Sequence, residues 1–167
     1  MQIGDLIGLV GNNMGEMEMV RILIADDDPD TCGFLRRIIK HYFPVVDTHI
    51  VQDGGEALEA LLELPPALAI LDVEMPQMTG LEVARVARRR AIDTAIVLVT
   101  AWPTAERARQ AARIGVQHFL EKPVIVAEIT SVVHRFVNAS RWRIVDNQDH
   151  REVCDVKQIL EENTAES

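Results

Sequence analysis

Four short apolar runs constrain this chain more than any other feature: Val20 to Ala25, Leu68 to Leu71, Ala95 to Val99 and Val116 to Leu120. A strand with one wet face alternates apolar and polar residues, whereas these runs are nearly continuous, as in a parallel sheet covered on both faces. A fifth run, Val45 to Val51, is more polar and suits a sheet edge. Between the runs the apolar spacing becomes helical. Phe34, Leu35, Ile38, Ile39 and Tyr42 share one stripe, with Pro29 suited to a first turn and Asp28 to its cap. Ala57, Leu58, Leu61 and Leu62 predict a second helix, and Leu81, Ala84, Val86 and Ala87 a third. Ala105, Ala108, Ala111 and Ala112 predict a small-residue fourth helix that Gly115 can terminate. Ile125, Ile129, Val132, Val133, Phe136 and Val137 give the cleanest stripe, the fifth. Strand and helix thus alternate five times, and right-handed crossovers turn that order into a doubly wound α/β domain.

A chain of 167 residues has room for one such domain with modest extensions. No apolar run approaches the ~20 residues of a bilayer-spanning helix, and the first residues lack the basic region of a secretory signal, so a cytoplasmic protein is expected. Cys32 and Cys154 match no metal or disulfide spacing and read as unrelated reduced thiols. The formal net charge of −9, with no basic block beyond Arg88-Arg89-Arg90, disfavours direct nucleic-acid binding.

In a doubly wound sheet the functional site lies outside the carboxyl ends of the strands. Those ends carry Asp26-Asp27-Asp28 after the first run, Asp72 after the third, Thr100 after the fourth and Lys122 after the fifth. Taken singly, each has an ordinary use as a helix cap, a turn residue or a solvated charge. Taken together they bring several carboxylates to one rim, where two like charges ~4 Å apart repel by roughly 4 kcal/mol. A hard divalent cation with oxygen ligands, Mg²⁺, relieves that repulsion, and Lys122 adds a second positive point aimed at an anion. A carboxylate beside Mg²⁺ and a lysine is set up to act as a nucleophile toward phosphorus, with the Thr100 hydroxyl able to hold a phosphoryl oxygen.

The stretches Arg21-Ile22-Leu23-Ile24-Ala25-Asp26-Asp27-Asp28-Pro29, Leu71-Asp72-Val73-Glu74-Met75-Pro76, Val97-Leu98-Val99-Thr100-Ala101 and Phe119-Leu120-Glu121-Lys122-Pro123 occur in that order over about 120 residues. They resemble the receiver domain of two-component response regulators. The resemblance implies a flavodoxin-like sheet of strand order 2-1-3-4-5, with Asp72 as phosphoacceptor and Asp26, Asp27, Asp72 and the backbone carbonyl of Glu74 as Mg²⁺ ligands. Thr100 becomes the switch hydroxyl, Lys122 the phosphoryl-contacting lysine and Phe119 the switch aromatic, although an ordinary core phenylalanine also fits that strand. It further implies a histidine kinase or phosphotransfer protein as donor, a possible cis bond at Lys122-Pro123, and no chemistry on an outside substrate. Glu74 and Trp102 depart from the commoner small or neutral choices and are read either as shading the phosphoryl group or as solvated rim residues.

Residues 1–18 read as a leader, 19–138 as the receiver and 139–167 as an extension. That extension carries a short stripe at Val153, Val156, Ile159 and Leu160 but no helix-turn-helix pattern, so no DNA-binding output is expected within it. The expected output is a protein partner on the face of the fourth helix, fifth strand and fifth helix, where Arg107, His118 and Glu121 are the contact candidates. Two rival readings are a phosphohydrolase of the haloacid dehalogenase type, whose Asp-x-Asp pattern Asp26-Asp27-Asp28 mimics, and an unphosphorylated docking scaffold. The first lacks a cap insertion and an acidic pair after Lys122, and leaves Asp72 unexplained.

Overall fold

The computed structural model describes residues 19–145, with side-chain surroundings up to Val137. The proposed leader and the Val153–Leu160 stripe lie outside the described residues. Five strands, β1 (Arg21–Ala25), β2 (Asp47–Val51), β3 (Leu68–Asp72), β4 (Ala95–Thr100) and β5 (His118–Glu121), alternate with five helices. The helices are α1 (Pro29–Tyr42), α2 (Gly54–Glu63), α3 (Gly80–Arg89), α4 (Ala105–Ile114) and α5 (Val126–Val145). All strand pairs are parallel and the order is β2-β1-β3-β4-β5, with the polar β2 at an edge as expected.

Because side chains alternate along a strand, each apolar run feeds two cores. Ile22, Ile24, Leu68 and Ile70 point to one face, where they meet Leu35 and Ile39 of α1 and Ile129 and Val133 of α5. Leu23, Ala69, Leu71 and Leu98 point to the other, against Leu61 of α2 and Val83, Ala84 and Ala87 of α3. Each large aliphatic side chain withdrawn from water in this way contributes about 1.5–3 kcal/mol, which explains why the runs tolerate almost no polar residue.

The predicted α1 stripe is displaced by part of a turn. Leu35, Ile38, Ile39 and also Cys32 are buried, while Phe34 and Tyr42 are 36% and 54% exposed, because Cys32, Leu35 and Ile39 follow the i, i+3, i+7 line that faces the sheet. Similarly, α4 fully buries Ala111 alone, leaving Ala105, Ala108 and Ala112 exposed. Asp28 does cap α1, accepting from the amides of Asp30 and Thr31, with Pro29 in the first turn. Gly115 ends α4 with a left-handed φ of 84°, a conformation that suits a residue without Cβ. Away from the acidic rim, Arg88 ties α3 to the start of β4 and to the α4–β5 turn by donating to the carbonyls of Thr94 and Gly115. The helix α5 runs past the expected domain limit at 138 to Val145, through a stretch that contains neither Gly nor Pro.

Candidate phosphoryl-acceptor site

Three parallel strands deliver the acidic rim. β1 ends one residue before Asp26, β3 ends on Asp72 and β4 ends on Thr100, and all three are buried, at 2%, 4% and 0% exposure. Lys122 follows β5, its backbone amide bonded to the Thr100 carbonyl at 2.8 Å, which aims the side chain across the sheet end. Its Nζ stands 2.7 Å from Asp26 Oδ2 and 3.3 Å from Asp72 Oδ1.

The strand that ends on Asp72, β3, is held from behind by α3. The Gly80 amide donates to the Val73 carbonyl, and a Cβ at Gly80 would fall 2.2 Å from the Asp72 carbonyl oxygen, so only glycine permits this approach. Thr79 and Glu82 close a capping box at the same helix start. The α3 start at Thr79-Gly80 is therefore the brace for Asp72.

Electrostatically the site is under-neutralised. Burial, then the neighbouring Asp26 charge, push the Asp72 carboxyl up from 3.8 to about 6 despite Lys122. Burial pulls the Lys122 ammonium down, but its bonds and charge contacts with Asp26 and Asp72 outweigh that and hold it above its ordinary value. One oxygen each of Asp26, Asp27 and Asp72 lies within 4.8 Å of the others, with Asp27 exposed to solvent. Asp72 Oδ1 is buried and is met by the Lys122 ammonium at 3.3 Å. Three converging carboxylates, with the Lys122 ammonium beside two of them and Asp27 exposed to solvent, make a hard donor set that fits a divalent cation such as Mg²⁺. Asp28 takes no part in this cluster. Its carboxylate accepts from the Thr31 hydroxyl at 2.6 Å as well as from the helix amides, so the Asp-x-Asp pairing that a dehalogenase-type hydrolase needs is not assembled.

The Thr100 hydroxyl is fully engaged. It donates to Glu74 Oε2 at 3.1 Å and accepts from the Trp102 amide at 3.0 Å. Arg107, one of the contact candidates, forms an ion pair with Glu74 and brings Nη1 to 3.4 Å from Thr100 Oγ1. Trp102 is 70% exposed, so most of its surface stands in solvent. Phe119 is partly buried against the core shared by α3 and α4. His118 lies 3.2 Å from Arg135 of α5, and Glu121 is exposed. The bond between Lys122 and Pro123 is cis.

A doubly wound domain with an acidic, lysine-bearing pocket at its carboxyl rim defines a class of phosphoryl-handling proteins, and sequence comparison narrows the class. Residues 22–134 match the response regulator receiver domain, and the chain belongs to that family. It is 34% identical over 110 residues to the response regulator MprA of Mycobacterium sp. (strain KMS), covering 66% of this chain and 47% of that protein. It is 30% identical over 117 residues to the regulatory protein AtoC of Escherichia coli (strain K12), covering 69% of this chain and 24% of that protein. The chain thus spans half or less of the length of these relatives. A CheY-like response regulator receiver domain from Methanospirillum hungatei JF-1 superposes with a TM-score of 0.68 over 75% of this chain and 98% of its own, at 22% identity, which is a likeness of fold.

Proposed function

We propose that the chain is a phosphorylation switch that accepts a phosphoryl group on Asp72 from a phosphohistidine of a histidine kinase or phosphotransfer protein. The observation that carries this reading is the buried Asp72 carboxylate gathered with the Lys122 ammonium and the carboxylate oxygens of Asp26 and Asp27. Asp72 Oδ1 forms a bond to phosphorus as the donor's N–P bond breaks, and the leaving imidazole nitrogen takes up a proton. Asp26, Asp27, Asp72 and the Glu74 carbonyl are the residues that would hold Mg²⁺, which when bound would neutralise charge on the transferring oxygens. Lys122 Nζ, already between two carboxylates, follows the new phosphoryl oxygens. The Thr100 hydroxyl supplies a hydrogen bond to one of them, and Phe119 turns into the space that this movement leaves.

This chemistry is confined to the chain's own carboxylate, with no outside substrate turned over. The protein works in the cytoplasm, and its message leaves through a protein partner on the α4–β5–α5 face rather than through nucleic acid, in keeping with the net charge of −9. Incubation with Mg²⁺ and a small-molecule phosphodonor is expected to add one base-labile phosphoryl group that mass spectrometry maps to Asp72, and Asp72→Asn is expected to abolish it. A label on Asp26, Asp28 or a histidine overturns the assignment.

A further inference from the structure

The Thr100 hydroxyl has one proton and two lone pairs, and all three are committed. The proton goes to Glu74 Oε2, one lone pair takes the Trp102 amide, and the other faces Arg107 Nη1. A phosphoryl oxygen can only accept, so it must take the same proton that Glu74 now holds. Glu74 is in turn kept in place from outside. Arg107, in the first turn of α4, pairs with its other carboxylate oxygen and also donates to the Trp102 carbonyl at 3.0 Å. The Glu74 and Arg107 side chains are only 39% and 32% exposed, which strengthens the pair relative to one on open surface.

We infer that the Glu74–Arg107 ion pair is a resting-state clamp on Thr100, tying the acceptor loop after β3 to the start of α4 until a phosphoryl group displaces Glu74 from the hydroxyl. Arg107 acts here as a positioning residue: it holds Glu74, and Glu74 holds the hydroxyl. The clamp gives the signal a path to α4. When Thr100 turns toward the phosphoryl group, the loop from Trp102 to Arg107 loses its anchor at the Thr100 oxygen, at the point where the chain enters a helix that buries little of itself. The inference rests on Asp72 being the acceptor.

Mg²⁺ with beryllium fluoride, a phosphoryl mimic, tests it in a double-mutant cycle followed by NMR and equilibrium titration. Glu74→Gln is expected to tighten beryllium fluoride binding roughly fivefold to tenfold, about the worth of one charge-assisted hydrogen bond. It is also expected to move the Trp102 amide resonance of the unliganded protein toward its liganded position. In an Arg107→Ala background the same Glu74→Gln change is expected to gain less than about twofold, because the clamp is already open. Simple repulsion between Glu74 and the bound anion requires the opposite, since an unpaired carboxylate repels more strongly. A gain that persists or grows without Arg107 therefore overturns the clamp, as does a Trp102 resonance unmoved by Glu74→Gln. Arg107→Lys, which keeps the charge without the planar fork, is expected to fall between wild type and Arg107→Ala. Wild-type protein that takes up no beryllium fluoride overturns the acceptor reading and the clamp together, whereas uptake lost in Asp72→Asn but with an unaltered Glu74 cycle overturns the clamp alone.

Discussion

The helices α3 and α4 are each ten residues long and built largely from alanine and arginine, yet the fold holds them very differently. α3 buries Gly80, Leu81, Val83, Ala84 and Ala87, starts in a reciprocal capping box and rests its first residue on the backbone of the acceptor strand. α4 buries Ala111, has a one-way cap from Thr104, and gains a tether to the site through Arg107. A helix that positions a nucleophile needs a fixed geometry, which close backbone approach and aliphatic packing supply. A helix that reports on the site needs a second position within reach, and small buried area keeps that inexpensive. On the proposed reading, the contrast separates a brace at Asp72 from a lever at α4.

The contrast breaks most readily at its two helix-end glycines. Gly80→Ala drives a methyl group into the Asp72 carbonyl at 2.2 Å, a clash with strand backbone rather than with a flexible side chain, and is expected to cost more than about 3 kcal/mol in urea unfolding. Gly115→Ala meets only the Arg88 guanidinium at 3.8 Å and suffers chiefly from its positive φ, so a loss of about 1 kcal/mol is expected. Equal losses would mean that α3 is no better fixed than α4.

A second experiment concerns the charge that α3 braces. The folded Asp72 carboxyl titrates near 6 against an ordinary 3.8, so between those values the folded protein holds more protons than the unfolded chain. Its contribution is fully present below about pH 4 and is lost as pH rises through about 6, a change of up to about 3 kcal/mol for a shift of this size. Measured with chelator present, wild-type stability is expected to fall across that window relative to Asp72→Asn, making the asparagine variant the more stable one at pH 7. Added Mg²⁺ should narrow the gap. A gap independent of pH would remove burial of the Asp72 charge as its cause.

Much of this was legible in the chain. Strands buried on both faces leave almost uninterrupted aliphatic runs, and the rim of a parallel sheet follows directly from where those runs stop, so Asp26, Asp72, Thr100 and Lys122 could be gathered from order alone. Helix depth was less legible. Alanine suits a buried and an exposed helix face equally, which is why Ala105, Ala108 and Ala112 suggested a stripe that the fold leaves in solvent. Phe34 and Tyr42 misled in the same manner, since hydrophobicity at the edge of a stripe does not report which side meets the sheet. The Glu74–Arg107 pair was hidden for another reason: it joins a loop to a helix far along the chain, and only their crossing in space brings them together. The one available signal was Glu74 itself, an extra carboxylate beside an already acidic pocket that calls for a counter-charge.

The smallest expected effect is the most specific to α4 as a lever. Thr79→Ala removes the side-chain half of a capping box, the bonds of Thr79 Oγ1 with the Glu82 amide and carboxylate, from a helix that unfolds with the core, so the usual cap penalty of about 1 kcal/mol should appear in global unfolding. Thr104→Ala removes one bond, Thr104 Oγ1 from the Arg107 amide at 3.2 Å, from a helix with little buried area. If α4 opens locally before the domain unfolds, that loss falls on the local opening and not on the global midpoint. Amide hydrogen exchange then separates the two levels. Wild-type α4 amides are expected to exchange about tenfold faster or more than those of α3. In Thr104→Ala the α4 amides should gain a further several-fold while α3 exchange and the urea midpoint stay within about 0.3 kcal/mol of wild type. Beryllium fluoride with Mg²⁺ should act in the same direction, because drawing Thr100 toward the acceptor removes Trp102 and Arg107 from their resting anchor. Uniform exchange across both helices, or a Thr104→Ala midpoint shift as large as that of Thr79→Ala, would show that α4 is packed into the core as firmly as α3, leaving no independent element for the switch to move.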